Sequence, residues 1–158
     1  MTDEEYMRLA LQEAEVAAAL DEVPVGAVVV RRGEIIAKAH NTRETGKCAL
    51  DHAELLAIRD ACRAAGGWRL NDTTLYVTLE PCPMCAGAIL NARIDRVVIG
   101  ARDPRAGAFG SLLNLNDLPL NHKTEIAHGV LADESAALLS SFFKRKRAGK
   151  PAKGDEAE

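Results

Sequence analysis

Short β-prone runs alternate with helix-forming segments along most of this chain, and this alternation limits the possible folds more than any other feature. Runs rich in Val, Ile, Thr and Tyr predict five strands, at residues 25–30, 35–39, 73–79, 96–100 and 124–127. Helical spacing predicts four helices, at residues 3–20, 52–65, from Pro81-Cys82-Pro83 to about Ala92, and at 133–147. Because Gly33 provides a turn, the first two strands form an antiparallel hairpin. We therefore expect an α/β fold in three layers, αβα, with a mixed five-stranded sheet.

The second predicted helix, His52–Ala65, has recognisable ends. Asp51 precedes it and is the expected N-cap, while Gly66-Gly67 provides the C-terminal stop. Its apolar face is expected to consist of Leu55, Leu56, Ile58 and Cys62. Asp51 and Glu54 also have the spacing of a capping box, which would give Glu54 a purely structural role.

Length and composition indicate a single domain. The chain has 158 residues, of which 47% are hydrophobic and 27% charged, a balance typical of one globular domain with a sizeable core. We expect residues 1–147 to form this domain and residues 148–158 to be a solvated charged tail. No apolar run approaches the roughly 20 residues of a membrane span, and residues 2–22 are too acidic for a secretory signal peptide. These observations predict a cytoplasmic protein without membrane contact.

Charge is distributed unevenly, although the net charge is only −3. Residues 1–22 contain seven acids and one base. Residues 144–153 contain six bases and no acid: Lys144, Arg145, Lys146, Arg147, Lys150 and Lys153. The net negative charge argues against general attraction to nucleic acid, whereas the basic C-terminal segment provides a local site for phosphate.

The residues that most directly indicate chemistry are His52, Cys82 and Cys85. In a reducing compartment, a close cysteine pair is more often a metal or redox site than a disulfide. The two cysteines lie on the first turn of one predicted helix, facing the same way, and His52 begins another helix. Two thiolates and an imidazole suit a catalytic Zn²⁺ whose fourth position takes water. Taken singly, the cysteines could instead be a redox or structural pair, and His52 a packed histidine.

Glu54 is the candidate proton carrier. It lies two residues beyond His52, so the two side chains point in different directions on a regular helix. A carboxyl beside zinc-activated water suits hydrolytic removal of an amine from an aromatic ring, because it can move protons from water to a ring nitrogen and to departing ammonia. We therefore predict Glu54 as the catalytic residue, and His52, Cys82 and Cys85 as ligands of one zinc ion per chain.

The segments His52-Ala53-Glu54 and Pro81-Cys82-Pro83-Met84-Cys85 resemble the signature of the cytidine deaminase superfamily of zinc base deaminases. The resemblance to one branch, the bacterial tRNA-specific adenosine deaminases, covers nearly the whole chain. It rests on further matching stretches: Glu22–Ala27, His40-Asn41, Trp68–Leu70, Thr74–Glu80, Gly100–Pro104, Gly110–Leu112, Asn121-His122, and Ser141–Phe143 followed by basic residues.

This resemblance implies a cytidine deaminase-like fold, a homodimer, and conversion of adenosine to inosine at the anticodon wobble position of an arginine tRNA. It also implies that Asn41 hydrogen-bonds the target base, and that Asp103 and Asn121 contact the flipped-out nucleotide or its neighbours. Phe143 and Arg147 would hold the anticodon loop through the last helix. An aromatic ring beside basic residues suits a single-stranded RNA loop, because it combines stacking with phosphate contact.

The residues with implied RNA contacts also have structural interpretations. Asn41 follows a strand and Asp103 precedes a proline, which are positions typical of turns, and Asn121 could end a loop. Of Phe142 and Phe143, one is expected in the core.

The chain departs from the family pattern just before His52. Asp51 stands where the family usually has a small or apolar residue, and Gly46–Leu50 replaces its usual Pro-Thr approach. These departures touch the expected pocket rim and therefore bear on substrate range, whereas every metal and proton-transfer position is kept.

Two other functions fit the same residues. The first is deamination of a free nucleobase or nucleoside, of the guanine or cytosine type, by the same zinc chemistry without a need for the basic last helix. The second is a structural zinc module that binds RNA without catalysis. In that case Cys48, four residues before His52, would complete the metal site.

Overall fold

The computed structural model describes residues 1–149 and contains four α-helices, five strands and one short 3₁₀ helix. The helices are α1 (Asp3–Ala19), α2 (Ala53–Ala65), α3 (Pro83–Asn91) and α4 (Ala132–Gly149). The strands are β1 (Gly26–Arg31), β2 (Glu34–His40), β3 (Thr73–Leu79), β4 (Arg96–Ala101) and β5 (Glu125–Ala127). Every predicted helix and strand is present, and only the 3₁₀ helix, Leu115–Asp117, is not predicted from the sequence.

The last helix extends further than its sequence pattern indicates. α4 runs to Gly149, so the first two residues of the predicted 148–158 tail are helical. The remainder of that tail, including Lys150 and Lys153, lies outside the described residues.

Within residues 1–149, no helix combines the length and the apolar character that crossing a bilayer requires.

The five strands form one mixed sheet in the order β2-β1-β3-β4-β5. β1 pairs antiparallel with both β2 and β3, whereas β3 with β4 and β4 with β5 are parallel pairs. The β1–β2 turn is tight because Arg32 and Gly33 both adopt left-handed backbone conformations, with φ of 51° and 82°, as type I′ hairpin turns require. The predicted mixed five-stranded sheet is confirmed.

Helices cover both faces of the sheet. Successive residues of a strand point to opposite faces, so Val28 and Val30 of β1 pack toward α1, whereas Ala27 and Val29 pack toward α2. α4 lies on the α1 side, against β4 and β3, and α3 lies beside α2. The core on the α1 side consists of Tyr6, Met7, Ala10, Val28, Val30, Tyr76 and Val98. The predicted three-layer αβα arrangement is therefore confirmed.

The buried face of α2 differs from the sequence prediction. Its buried residues are Ala53, Glu54, Ala57, Ile58 and Ala61. Leu55, Leu56 and Cys62, which we expected on the apolar face, are only partly buried. Alanine lets a helix approach a sheet closely, so the small side chains occupy the contact and the larger ones lie at its borders.

The N-terminus of α2 is also corrected. The N-cap is His52, not Asp51, and it makes no side-chain capping hydrogen bond. Asp51 instead belongs to the preceding loop, where its backbone N–H donates to the Cys48 carbonyl at 3.1 Å. Glu54 is therefore the second residue of the helix, and the capping box with Asp51 does not form. The predicted C-terminal stop is confirmed, since Gly66 has a φ of 75°.

One edge of the sheet gathers the ends of four strands. The parallel strands β3 and β4 both end there, and β1 begins there because it runs antiparallel to β3. β2 ends at the same edge, with His40 opposite Gly26. Asn41, both cysteines of the predicted metal site and Asp103 follow these strand ends directly or closely. Backbone groups beyond a strand end are free of sheet pairing, so a polar site can be assembled at this edge.

Candidate active site

His52, Cys82 and Cys85 come together at this edge. His52 ends the loop before α2, while Cys82 is the N-cap of α3 and Cys85 lies in its first turn. His52 Nδ1 lies 3.7 Å from Cys82 Sγ and 3.5 Å from Cys85 Sγ, and the three atoms lie within 4.8 Å of one another. Tetrahedral coordination with the usual Zn–S and Zn–N lengths separates N and S by roughly 3.6 Å. The spacing of the three side chains therefore fits one metal ion of this type.

The pKa values of the two thiols are also compatible with the binding of a cation. A hydrogen bond from the Cys85 thiol lowers the pKa of Cys82 to about 4, and the same bond, together with burial, raises the pKa of Cys85. The hydrogen bond with Cys82 in turn raises the pKa of His52. A divalent cation can replace the proton of the Cys85 thiol in this hydrogen bond, because it binds both sulfurs as thiolates.

The group does not have a fourth protein ligand among residues 1–149. Cys48 lies in the loop before His52, but it is not part of the group formed by His52, Cys82 and Cys85. The closed four-ligand site of a structural zinc module is therefore not formed by the described residues. Three ligands with a fourth position free for water or substrate are the arrangement of a catalytic metal site.

Glu54 lies beside this group and is almost completely buried, with 4% of its surface exposed. Burial raises the pKa of its carboxyl to about 7, although hydrogen bonds with its own backbone N–H and with Cys85 oppose this effect. A carboxyl with a pKa near neutrality can both accept and donate a proton under the same conditions. The position and environment of Glu54 thus differ from those of a solvated carboxylate on a helix surface.

A pocket of about 190 Å³ opens over these residues. Its polar lining consists of Asn41, Arg43, His52, Glu54, Glu80, Cys82 and Asp103, and its apolar lining of Val23, Val25, Ala53, Leu79 and Ala106. Apolar walls with a few convergent polar groups are typical of a small-molecule site. The volume lies below the roughly 300–1,000 Å³ of pockets for drug-sized ligands, which favours a small group such as a single base.

Asn41 is buried in the wall of this pocket, and its side chain is held on both sides. Its Nδ2 donates to the Val23 carbonyl at 3.2 Å, and its Oδ1 accepts from the backbone N–H of Arg43 at 3.1 Å. An amide has two donor hydrogens and two acceptor lone pairs, so each end retains one further hydrogen-bonding site. Asn41 can therefore act as a fixed donor and acceptor for a ligand.

Asp103 also lines the pocket, and it forms a turn. Its Oδ1 accepts from the backbone N–H groups of Arg105 at 3.0 Å and Ala106 at 3.3 Å. The structural role that the sequence leaves open for Asp103 is thus present. Its location in the pocket wall is compatible with the nucleotide contact as well, which stays a prediction.

Asn121 does not join the pocket. It is exposed and lines a separate groove along the outer side of α3, together with Met84, Leu55 and His122. Two residues of this groove are sequence neighbours of the site, since Leu55 follows Glu54 and Met84 precedes Cys85. The predicted contact of Asn121 with the nucleotide stays untested.

The two phenylalanines of α4 have different environments. Phe142 is 3% exposed and belongs to the core, whereas Phe143 is 43% exposed. Arg147 is also exposed. Lys146 Nζ lies 2.7 Å from Asp21 Oδ2. Asp21 stands two residues before Val23, which lines the pocket. The basic end of α4 is therefore held on the Val23 side of the pocket.

Two buried glutamates near the pocket are not recognised from the sequence. Glu22 accepts hydrogen bonds from the backbone N–H groups of Glu44, at 3.0 Å, and Thr45, in the loop that leads to His52. Glu80 accepts hydrogen bonds from the loop that contains Asp103. Both lie in stretches that match the deaminase family, Glu22–Ala27 and Thr74–Glu80, but nothing in the sequence indicates that they hold loops.

Comparisons with known proteins agree with this site. Residues 1–147 match the MafB19-like deaminase family. The tRNA-specific adenosine deaminase of Bacillus subtilis (strain 168) is 52% identical over 151 residues, which cover 95% of this chain and 94% of the relative. The enzyme of the same name from Haemophilus influenzae is 46% identical over 147 residues, covering 92% and 85%.

Solved structures give the same result. A structure from studies of A-to-I editing by tRNA:A34 deaminases at the wobble position of transfer RNA matches with a TM-score of 0.83 and 45% identity, covering 85% of this chain and 99% of that one. The guanine deaminase of Nitrosomonas europaea matches with a TM-score of 0.74 and 27% identity, covering 88% and 83%. The chain belongs to the MafB19-like deaminase family and, within it, to the tRNA-specific adenosine deaminases.

Proposed function

We propose that this protein is a zinc-dependent hydrolase that converts adenosine to inosine at the wobble position of a tRNA anticodon, with an arginine tRNA as substrate in the cytoplasm. The observation that carries the proposal is a single pocket that combines the His52, Cys82 and Cys85 group with a buried carboxyl and with Asn41. Relatives with 46–52% identity are named for this activity.

In this proposal, His52 Nδ1 and the sulfurs of Cys82 and Cys85 hold the zinc ion. Their spacing and their donor chemistry support this assignment. When bound, zinc would lower the pKa of a water molecule so that hydroxide becomes available near neutral pH. The N-termini of α2 and α3 also favour negative charge at this place.

Glu54 would move the protons of the reaction. As a carboxylate it accepts a proton from water, donates it to a ring nitrogen of the purine, and then assists departure of the amino group as ammonia. Water and adenosine thus yield inosine and ammonia without another reactant. A pKa of about 7 allows Glu54 to take both roles near neutral pH.

The remaining pocket and helix residues would recognise the RNA. Asn41 would hydrogen-bond the target base, and Asp103 and Asn121 would contact the flipped-out nucleotide or its neighbours. Phe143 offers an exposed ring for stacking and Arg147 a charge for phosphate. The salt bridge between Lys146 and Asp21 supports this role, because it holds the basic end of α4 beside the pocket.

We further propose that the protein acts as a homodimer. The groove along α3 supports this, since it combines an exposed apolar side chain, Leu120, with the partly buried Leu55 and Met84. Sedimentation analysis at micromolar concentration tests this point, and a mass of one chain over the whole concentration range would contradict it.

The competing function is deamination of a free nucleobase. The fold match to a guanine deaminase motivates this alternative, but that match has only 27% identity. The test is to incubate the zinc-loaded protein with a transcribed arginine tRNA and, in parallel, with guanine, cytosine and adenosine. We expect inosine at the wobble position, read by sequencing, and no turnover of the free compounds. Turnover of a free base without inosine in the tRNA would reverse the assignment.

A further inference from the structure

We propose that Glu80 is a positioning residue that sets the shape of the substrate pocket by holding the loop at residues 102–113. We refer to this segment as the Asp103 loop. The inference rests on the proposed function insofar as the pocket is taken as the substrate site. Glu80 itself moves no proton in this account and acts through the loop that it holds.

Glu80 follows the end of β3 and is 2% exposed. Its carboxylate accepts four hydrogen bonds, all from the Asp103 loop. Oε1 accepts from the Asp103 N–H at 3.1 Å and from the Ser111 hydroxyl. Oε2 accepts from the N–H groups of Phe109 and Ser111, both at 3.1 Å. The loop is therefore held by one buried carboxylate, in addition to the packing of Ala108 and Phe109 in the core.

The fit between this carboxylate and the loop is close. A Cβ atom at Gly107 would lie 2.3 Å from Glu80 Cδ and 2.5 Å from the Asp103 carbonyl oxygen, distances that no side chain can occupy. The next residue, Ala108, donates its N–H to the Pro81 carbonyl at 2.8 Å. Only glycine lets the backbone pass this close to Glu80.

Glu80 links the cysteine side of the site to the Asp103 loop. It stands two residues before Cys82, and the loop that it holds supplies Asp103 and Ala106 to the pocket wall. Because the four acceptor sites of the carboxylate are all in use, its role differs from that of Glu54.

The test uses the Glu80→Gln variant of the zinc-loaded protein. The glutamine oxygen can still accept from Phe109 and Ser111, and the Ser111 hydroxyl can reverse to accept from the new NH₂ group. That NH₂ group cannot accept a hydrogen bond from the Asp103 N–H, so the Asp103 end of the loop is released. We expect kcat/KM on an arginine tRNA anticodon stem-loop to fall roughly tenfold or more, the scale of one charge-assisted hydrogen bond. The loss should be mainly in KM, with unchanged zinc content.

Hydrogen exchange provides a readout that needs no substrate. In Glu80→Gln, amides of the Asp103 loop should exchange faster, while those of the sheet stay protected. Tyr76→Phe is the matched control, because Tyr76 lies on β3 and donates to the Asp3 carboxylate at 2.8 Å on the α1 side of the sheet. It also removes one hydrogen bond to a carboxylate, but it should change neither kcat/KM nor exchange in the loop.

The inference is overturned if Glu80→Gln retains kcat/KM within twofold with unchanged loop exchange, or if exchange increases equally throughout the sheet. If Glu80→Gln does not fold, Ser111→Ala provides the test, since it removes only the hydroxyl contact. It should raise KM and loop exchange, and an unchanged KM with unchanged exchange would refute the proposal. If the wild-type protein forms no inosine in tRNA, the proposed function fails, whereas the exchange comparison still tests the role of Glu80.

Discussion

Replacing Glu54 with glutamine isolates proton transfer from the shape of the site. Gln has almost the same size and can keep a hydrogen bond with Cys85, but it cannot accept a proton from water or deliver one to a purine nitrogen. Because Glu54 is 4% exposed, bulk water cannot easily replace it as a proton carrier. The substitution removes a carboxyl that burial disfavours as an anion, so we expect no loss of folding stability.

The expected loss follows from the role of a general acid and base. Such groups contribute roughly 10²- to 10⁴-fold to a rate, which corresponds to about 3 to 5 kcal/mol in the activation free energy. We therefore expect the single-turnover rate on an anticodon stem-loop to fall by that factor. Zinc per chain, measured by mass spectrometry of the metal, should stay at the wild-type level.

A matched control is Glu15→Gln, the same chemical change at an exposed position of α1. It should leave the rate unchanged. The reasoning is refuted if Glu54→Gln retains zinc and reacts within tenfold of the wild-type rate, because the proton would then travel by another group.

Three further predictions concern stability, metal and RNA. Asp3→Asn should lower the free energy of unfolding by about 1 kcal/mol at neutral pH, because Asp3 makes a two-point salt bridge with Arg96 and is 36% exposed. The hydrogen bonds with Arg96 lower the pKa of Asp3 below 3.8, so its contribution is present above about pH 4 and lost as the pH falls further. Chelation should abolish inosine formation and lower the melting temperature, and zinc at about 1,000 times its Kd should restore both, stabilising the fold by about 4 kcal/mol. Arg147→Ala should weaken tRNA binding and reduce the slope of log K against log salt by about 1.

Each of these has a contradicting result. Equal urea-unfolding curves for Asp3→Asn and wild type at pH 7 would remove the contribution of the Arg96 pair, and a difference that does not shrink as the pH falls below 3.8 would contradict its electrostatic origin. Full activity after chelation would exclude the metal from the reaction. An unchanged salt slope for Arg147→Ala would mean that this side chain does not contact phosphate.

Local sequence patterns predict the layers of the fold and the grouping of His52, Cys82 and Cys85. The strands follow from runs of β-branched residues, and the Pro81-Cys82-Pro83 segment fixes both the start of α3 and the direction of its thiols. His52 and the cysteines could be grouped because metal ligation requires particular residue types at particular spacings. These features depend on neighbours within a few residues in the chain.

Other features depend on contacts between distant segments and were missed or misassigned. The alanine face of α2 depends on how closely the helix approaches β1 and β2, which helical periodicity does not encode. The partners of Glu80 lie more than 20 residues away in the sequence. Asn121 could not be separated from the pocket residues, because the path of the loop between β4 and β5 has no periodic pattern. Tertiary hydrogen bonds therefore determine the pocket rim.

The most direct test of hydrolytic deamination in this pocket is a reaction in ¹⁸O-labelled water. An arginine tRNA is incubated with the zinc-loaded protein and cut with a ribonuclease into oligonucleotides, and the anticodon-loop fragment is compared with the other fragments by mass spectrometry. If water attacks the ring carbon while Glu54 moves the protons, each inosine carries one ¹⁸O atom, and all of it derives from the wobble position. Inosine without label, label at other adenosines, or unchanged adenosine at the wobble position would contradict the account.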